Sequence, residues 1–82
     1  MTKHELKCWP KFFQAVWDGT KTFEVRKGED RQYEVGDEVM LREYFQEEDL
    51  WGRSLLLKTT YVLHGGLWLP PDTWVFSFRV CS

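Results

Sequence analysis

Residues 18–27 read Asp18-Gly19-Thr20-Lys21-Thr22-Phe23-Glu24-Val25-Arg26-Lys27. A glycine followed by charged or hydroxylated residues alternating with Phe23 and Val25 predicts a helix end and then a strand. Successive side chains on a strand point to opposite faces, so Thr22, Glu24 and Arg26 share one face and Phe23 and Val25 the other. Glu24 and Arg26 then stand about 6.5–7 Å apart. Unit charges at that separation attract by ~2 kcal/mol at an effective dielectric of about 20. An acid that partly neutralises the neighbouring guanidinium makes a poor phosphate clamp. It makes a good site for a polar edge, such as that of a nucleobase, that needs both a donor and an acceptor. The competing reading is a surface ion pair on a solvated strand face, which the same alternation produces.

Working outward, Pro10 opens a helix, because proline suits a first turn whose N–H has no partner anyway. Phe12, Phe13, Val16 and Trp17 follow helical spacing, and Gly19 closes the helix. His4–Cys8 before it is a short extended segment. After Lys27, residues 28–37 form a polar connection ending in a Val35-Gly36-Asp37 turn. Glu38–Phe45 is a strand, Gln46–Gly52 a charged turn, Arg53–Leu63 a long strand and Trp74–Val80 the last strand. Gly65-Gly66 and Pro70-Pro71 bracket a loop between the last two. The order is β-α-β-β-β-β. Connections too short for parallel crossovers predict a mainly β, α+β domain shaped as a small, partly open barrel.

The chain has 82 residues, room for one domain. Five Trp, six Phe and three Tyr make it 17% aromatic, enough to fill a small core and leave some rings for a binding surface. Trp17 and Trp74 are expected in the core. Trp9, beside Lys7 at the mouth of the helix, is the best candidate for an exposed ring; Tyr44, Trp51 and Trp68 are expected to pack. The formal net charge of −2 argues against a non-specific polyanion binder, whose affinity comes from many phosphate contacts. It leaves room for a local basic cleft. No apolar run reaches the ~20 residues of a membrane span, so no membrane partner is expected. Residues 1–9 do not read as a secretory segment, so a cytoplasmic location is expected, with Cys8 and Cys81 reduced. His4, Cys8, His64 and Cys81 lack the close pairs of a zinc site. They read as a core cysteine and surface histidines, with no metal. No phosphate-cradling glycine loop is present, and no cofactor is expected.

The spacing Gly19-x-Lys21-x-x-Glu24-x-Arg26, placed just after a short helix, resembles the signature of ASCH domains in the PUA-like group. The likeness runs on through His4-Glu5-Leu6-Lys7, Pro10-x-Phe12-Phe13, Thr22–Lys27, Asp30-Arg31, Val35-Gly36-Asp37 and Leu41–Tyr44, toward a small bacterial and phage branch with no assigned function. The resemblance implies a PUA-like barrel with a cleft beside the helix and the motif strand, lined by Lys21, Glu24 and Arg26. It also implies a task of binding RNA, a nucleotide or a modified base. The contacts then expected are Lys7, Trp9, Lys21, Glu24, Arg26, Lys27 and Arg31. The Gly28–Arg31 loop departs from the branch, where an asparagine follows the Arg-Lys pair.

One ASCH subfamily that the chain resembles is an amidohydrolase acting on acetylated cytidine. On that alternative Lys21 matches a lysine of the mechanism, Thr22 is the nearest hydroxyl, and Glu24 shares its strand face as a base. A more distant glutamate falls among Glu38, Glu43, Glu47 and Glu48. A third alternative is a protein-interaction module using the acidic patch Gln46–Leu50 and the apolar loop Leu67–Pro71.

Overall fold

The computed structural model describes residues 2–28, 31–66 and 68–81. Its elements are β1 (Lys3–Cys8), α1 (Pro10–Trp17), β2 (Phe23–Lys27), β3 (Glu38–Phe45), β4 (Leu50–Gly66) and β5 (Leu69–Val80), in the expected order. They form one five-stranded sheet, β1-β3-β4-β5-β2. The expected barrel is therefore an open sheet, with β1 and β2 as its edges. One pair, β1 with β3, is parallel (Lys3 opposite Glu38, Cys8 opposite Glu43). The crossover between them consists of α1, β2 and the polar connection, a longer path than any single loop. Among the described residues no helix is long and apolar enough to cross a membrane.

The helix forms as its punctuation dictates. Pro10 occupies the first turn. Gly19 takes a φ of +80°, which a Cβ would disfavour, while Thr20 and Lys21 return their N–H groups to the Ala15 carbonyl. Phe13 and Val16 are buried, packing with Leu6, Leu41, Leu57 and Phe76 in one core. Trp17, expected in that core, is half-exposed on the helix flank, with the Arg53 guanidinium 4.7 Å over its ring. The core claims only a narrow stripe of so short a helix.

Breaks in register between Arg42 and Tyr44, between Thr59 and Tyr61, and between His64 and Gly66 bend β3 and β4, as extra residues in a ladder do. β4 and β5 are longer than expected and meet in a hairpin. Pro70-Pro71 lies inside β5, where the ladder to β4 is already interrupted, so the missing N–H groups cost little. Trp68 at the tip is fully exposed; Leu67 lies outside the described residues.

The polar connection hides part of the core. Tyr33 is buried, stacked 4.7 Å from Phe76 and tilted against the His4 ring 4.6 Å away. His4, expected at the surface, is buried as well, and its Nε2 donates to Asp37 Oδ2 at 2.8 Å. The same carboxylate accepts the backbone N–H groups of Thr2 at 3.1 Å and Glu34 at 3.0 Å. Burial pushes Asp37 up, but these hydrogen bonds outweigh it and hold the carboxyl below its ordinary range. Cys8 is buried and Cys81 exposed, and both are free. β1, which carries Cys8, and β5, which Cys81 follows, are not neighbours in the sheet.

Candidate functional site

The alternation along β2 has the expected period, and the charged face is the one turned inward. Glu24 is 3% exposed, whereas Phe23 and Val25 are 45% and 53% exposed. Glu24 and Arg26 lie opposite Phe76 and Trp74 of β5, both core residues, so the charged face of β2 is the inner one. As an edge strand, β2 can turn its polar face inward because the sheet beside it is open and the space fills with side chains rather than with another strand.

Those side chains form a compact cluster. The Glu24 carboxylate accepts from Lys21 Nζ on one oxygen, and from Arg26 Nε at 3.1 Å and Nη2 at 2.8 Å on the other. Arg26 Nη2 also donates to the Lys7 carbonyl at 2.8 Å. That bond ties β2 to β1, the opposite edge of the sheet. Lys21 and Arg26 keep 20% and 25% of their side-chain surface in solvent, so both cations present donors outward from a buried acid.

A cavity of about 420 Å³ opens on this cluster, lined by Lys7, Cys8, Trp9, Phe12, Lys21, Glu24, Val25 and Arg26. Trp9 is 56% exposed, and the Lys21 ammonium lies 5.4 Å over the Phe12 ring. The volume suits one small ligand. Burial first, then the nearby Glu24 charge, push the Cys8 thiol up to about 11; at neutral pH it stays protonated and a weak nucleophile.

Of the residues singled out in the sequence, Lys7, Trp9, Lys21, Glu24 and Arg26 come together on this wall. Thr22 is exposed and does not line the cavity. Lys27 is exposed on the outer side of β2. Arg31 lines a different cavity, with Thr2, Lys3 and His4; Glu29 and Asp30 of its loop lie outside the described residues. Phe12, Cys8 and Val25 are wall residues that the sequence did not single out. Helical spacing alone does not tell Phe12 from the packing positions beside it, and only the meeting of β1, α1 and β2 brings these three together. Of the four candidate glutamates, Glu43 is buried and spoken for. Arg53 binds it through Nε at 3.0 Å, Nη2 at 3.0 Å and its own N–H at 3.1 Å. Those bonds hold Glu43 below the ordinary carboxylate range, and Arg53 goes on to Gln14 of α1 at 2.8 Å. This is a clamp between helix and sheet. The 46–50 stretch is exposed. Among the described residues no group of three or more His, Cys, Asp or Glu side chains is placed to hold a metal ion.

Residues 3–77 match the family described as a domain of unknown function, DUF3850. The chain is also 39% identical, over 77 residues, to the "uncharacterized 12.9 kDa protein in GpA 3′ region" of Escherichia phage P2, an alignment covering 94% of this chain and 67% of the phage protein. With the match running from the start of β1 into β5 and spanning the whole Lys21–Glu24–Arg26 cluster, the chain belongs to the DUF3850 family.

Proposed function

We propose that this protein binds RNA, a nucleotide or a modified base, taking one planar polar ring into the cavity between β1, α1 and β2. The observation that carries the reading is a buried acid, Glu24, gripped by two partly exposed cations on the wall of a cavity that also carries the open ring of Trp9. Burying a carboxylate is costly, and a pair of this kind adds little net stability over an apolar substitute. Such an arrangement earns its place as a fixed set of donors and an acceptor. Lys21 and Arg26 supply N–H groups, Glu24 accepts, and Trp9 and Phe12 offer ring faces for stacking. The resemblance to ASCH domains of the PUA-like group points the same way. The amidohydrolase alternative keeps Lys21 but lacks a placed nucleophile, since Thr22 stands off the cavity and the Cys8 thiol is protonated.

The test is a titration at low salt, followed by tryptophan fluorescence, with a panel of nucleosides, modified nucleosides and short single-stranded RNAs. Saturable quenching that is lost in Trp9→Phe and weakened in Glu24→Gln is expected. Silence across the whole panel overturns the reading.

A further inference from the structure

Lys7 belongs to two places at once. It lines the cavity, and its ammonium lies 4.6 Å from the centroid of the Tyr44 ring and 5.8 Å from that of Trp51. Tyr44 and Trp51 are cross-strand partners on β3 and β4, with ring centroids 4.7 Å apart. Arg42, opposite Lys7 in the β1–β3 register, sits 4.1 Å over the Trp51 ring. Two rings and two cations thus stand next to the cavity, on the outer face of the sheet, and neither ring belongs to the buried core. Trp51 is half-exposed. The register break between Arg42 and Tyr44 is the kind of irregularity that re-aims a side chain.

We infer that the Tyr44–Trp51 pair is a second stacking step, and that the ligand is a single-stranded polynucleotide rather than a free nucleoside. One base enters the cavity, its neighbour lies on Trp51, and the phosphate between them meets Lys7. The inference rests on the nucleotide reading above and narrows it to a strand. Three features favour a strand. Aromatic faces stack any base, a cation stands between the two stations, and Lys7, Lys21, Arg26 and Arg42 gather here in a chain whose formal net charge is −2. Four carboxylates border the platform, and Glu47 and Glu48 line the hollow that Tyr44 shares with Trp9 and Lys11. Glu5 pairs with Arg42 at 3.2 Å and Asp49 accepts the Tyr44 hydroxyl at 2.6 Å. Both contacts are exposed, and Arg42 exchanges such a surface partner for a phosphate at little cost.

The experiment compares labelled single-stranded RNA of mixed sequence, read by fluorescence anisotropy, with the component nucleosides, read by intrinsic fluorescence. RNA is expected to bind at least about 10-fold tighter than the best nucleoside. Trp51→Ala is expected to weaken RNA binding roughly 5- to 100-fold and leave nucleoside binding unchanged. Trp51→Phe, which keeps a ring, retains most of the affinity and guards against a folding artefact. Lys7→Ala lowers the slope of log affinity against log salt by about 0.7. RNA that binds no tighter than a nucleoside, or a Trp51→Ala variant that holds RNA like the parent, overturns the inference and leaves the cavity reading standing. If neither RNA nor nucleoside binds the parent protein, both fall.

Discussion

Replacing Glu24 by glutamine separates a carboxylate that serves a ligand from one that serves the fold, with Asp37 as the control. Both acids are buried, and each is held by three donors. The donors differ. Those of Glu24 are Lys21 Nζ and two nitrogens of Arg26, on side chains 20% and 25% exposed. When the acid loses its charge, both cations turn to water, and Arg26 keeps the Lys7 carbonyl at 2.8 Å. The lost charge-assisted bonds are offset by the relief of a buried charge, leaving a net change within about 2 kcal/mol of zero. The donors of Asp37 are two backbone N–H groups and the His4 ring, whose side chain is 3% exposed. Removing that carboxylate orphans them, at about 1–3 kcal/mol for each donor that water does not reach. Asp37→Ala is therefore expected to lose about 3–5 kcal/mol. At roughly 4–8 °C per kcal/mol for a domain of this size, its melting temperature falls by more than about 12 °C. Glu24→Gln shifts it by less, in either direction, and weakens nucleotide or RNA binding roughly 5- to 100-fold. Thermal and urea unfolding followed by tryptophan fluorescence, run beside the ligand titration, measures both. A Glu24→Gln protein as destabilised as Asp37→Ala would show that Glu24 is a strut of the fold, and the functional reading of the cluster would lose its basis.

Three further outcomes follow from the same geometry. Asp37 and Glu43 are held below their ordinary values of 3.8 and 4.5, so the unfolded chain binds more protons than the native one below about pH 5. Their contribution is fully present above those values and is lost as pH falls below them toward the lower native values; the urea midpoint should drop steeply below about pH 4, and a midpoint that rises on acidification contradicts the assignment. A Cβ on Gly28 would collide with the Trp74 indole, which stacks 3.6 Å from the His64 ring, and would come 2.9 Å from the Arg31 carbonyl. Gly28→Ala should cost about 1–3 kcal/mol with a red shift in tryptophan emission, and an unchanged melt would refute the close approach. With the Cys8 thiol pushed up to about 11 and buried while Cys81 is exposed, a thiol reagent near pH 8 should modify one cysteine in the native protein and two in denaturant. Equal native rates would mean that the floor of the cavity is open.

The punctuation of the chain was legible, and its long-range pairings were not. Pro10 and Gly19 mark the helix because each acts through its own backbone. The period of β2 was legible for the same reason, but its sign was not. Whether Glu24 or Val25 faces inward depends on what stands beside the strand, and that is decided by its partner β5, which lies far away in sequence. Tyr33 escaped notice because a single aromatic in a polar run has no periodicity to declare it. The His4–Asp37 bond joins residues 33 apart, and the Arg53–Glu43 clamp joins a residue of β4 to one of β3. Buried polar pairs of this kind follow from topology, and the parallel β1–β3 pairing that sets the topology was not expected. Trp17 and Trp51 show the converse error. Large rings default to the core in a sequence reading, yet on a short helix and a strand end the core has no room for them.

The place of the cavity follows from the strand order more directly than from the motif. Free sheet edges expose rows of unpaired N–H and C=O groups and are usually covered or blunted. Here the two edges are brought within reach of one side chain, since Arg26 of β2 bonds the Lys7 carbonyl of β1. Thr22 and Gly28 turn their backbone groups toward β5. By the alternation of an antiparallel ladder, Glu24 and Arg26 do the same, while Phe23, Val25 and Lys27 turn theirs away from the sheet. The seam between β1 and β2 therefore offers the main-chain groups of Val25 beside the charged cluster, and Val25 lines the cavity. A closed barrel would pair those groups in a β1–β2 ladder. With β1 and β2 not paired in the sheet and the gap bridged by one guanidinium, the Val25 main chain borders the spot where Lys21, Glu24 and Trp9 converge. A bound ring should accordingly shift the Val25 amide resonance along with those of the charged residues. A ligand that perturbs the cluster but leaves that amide untouched would sit on the surface rather than in the seam.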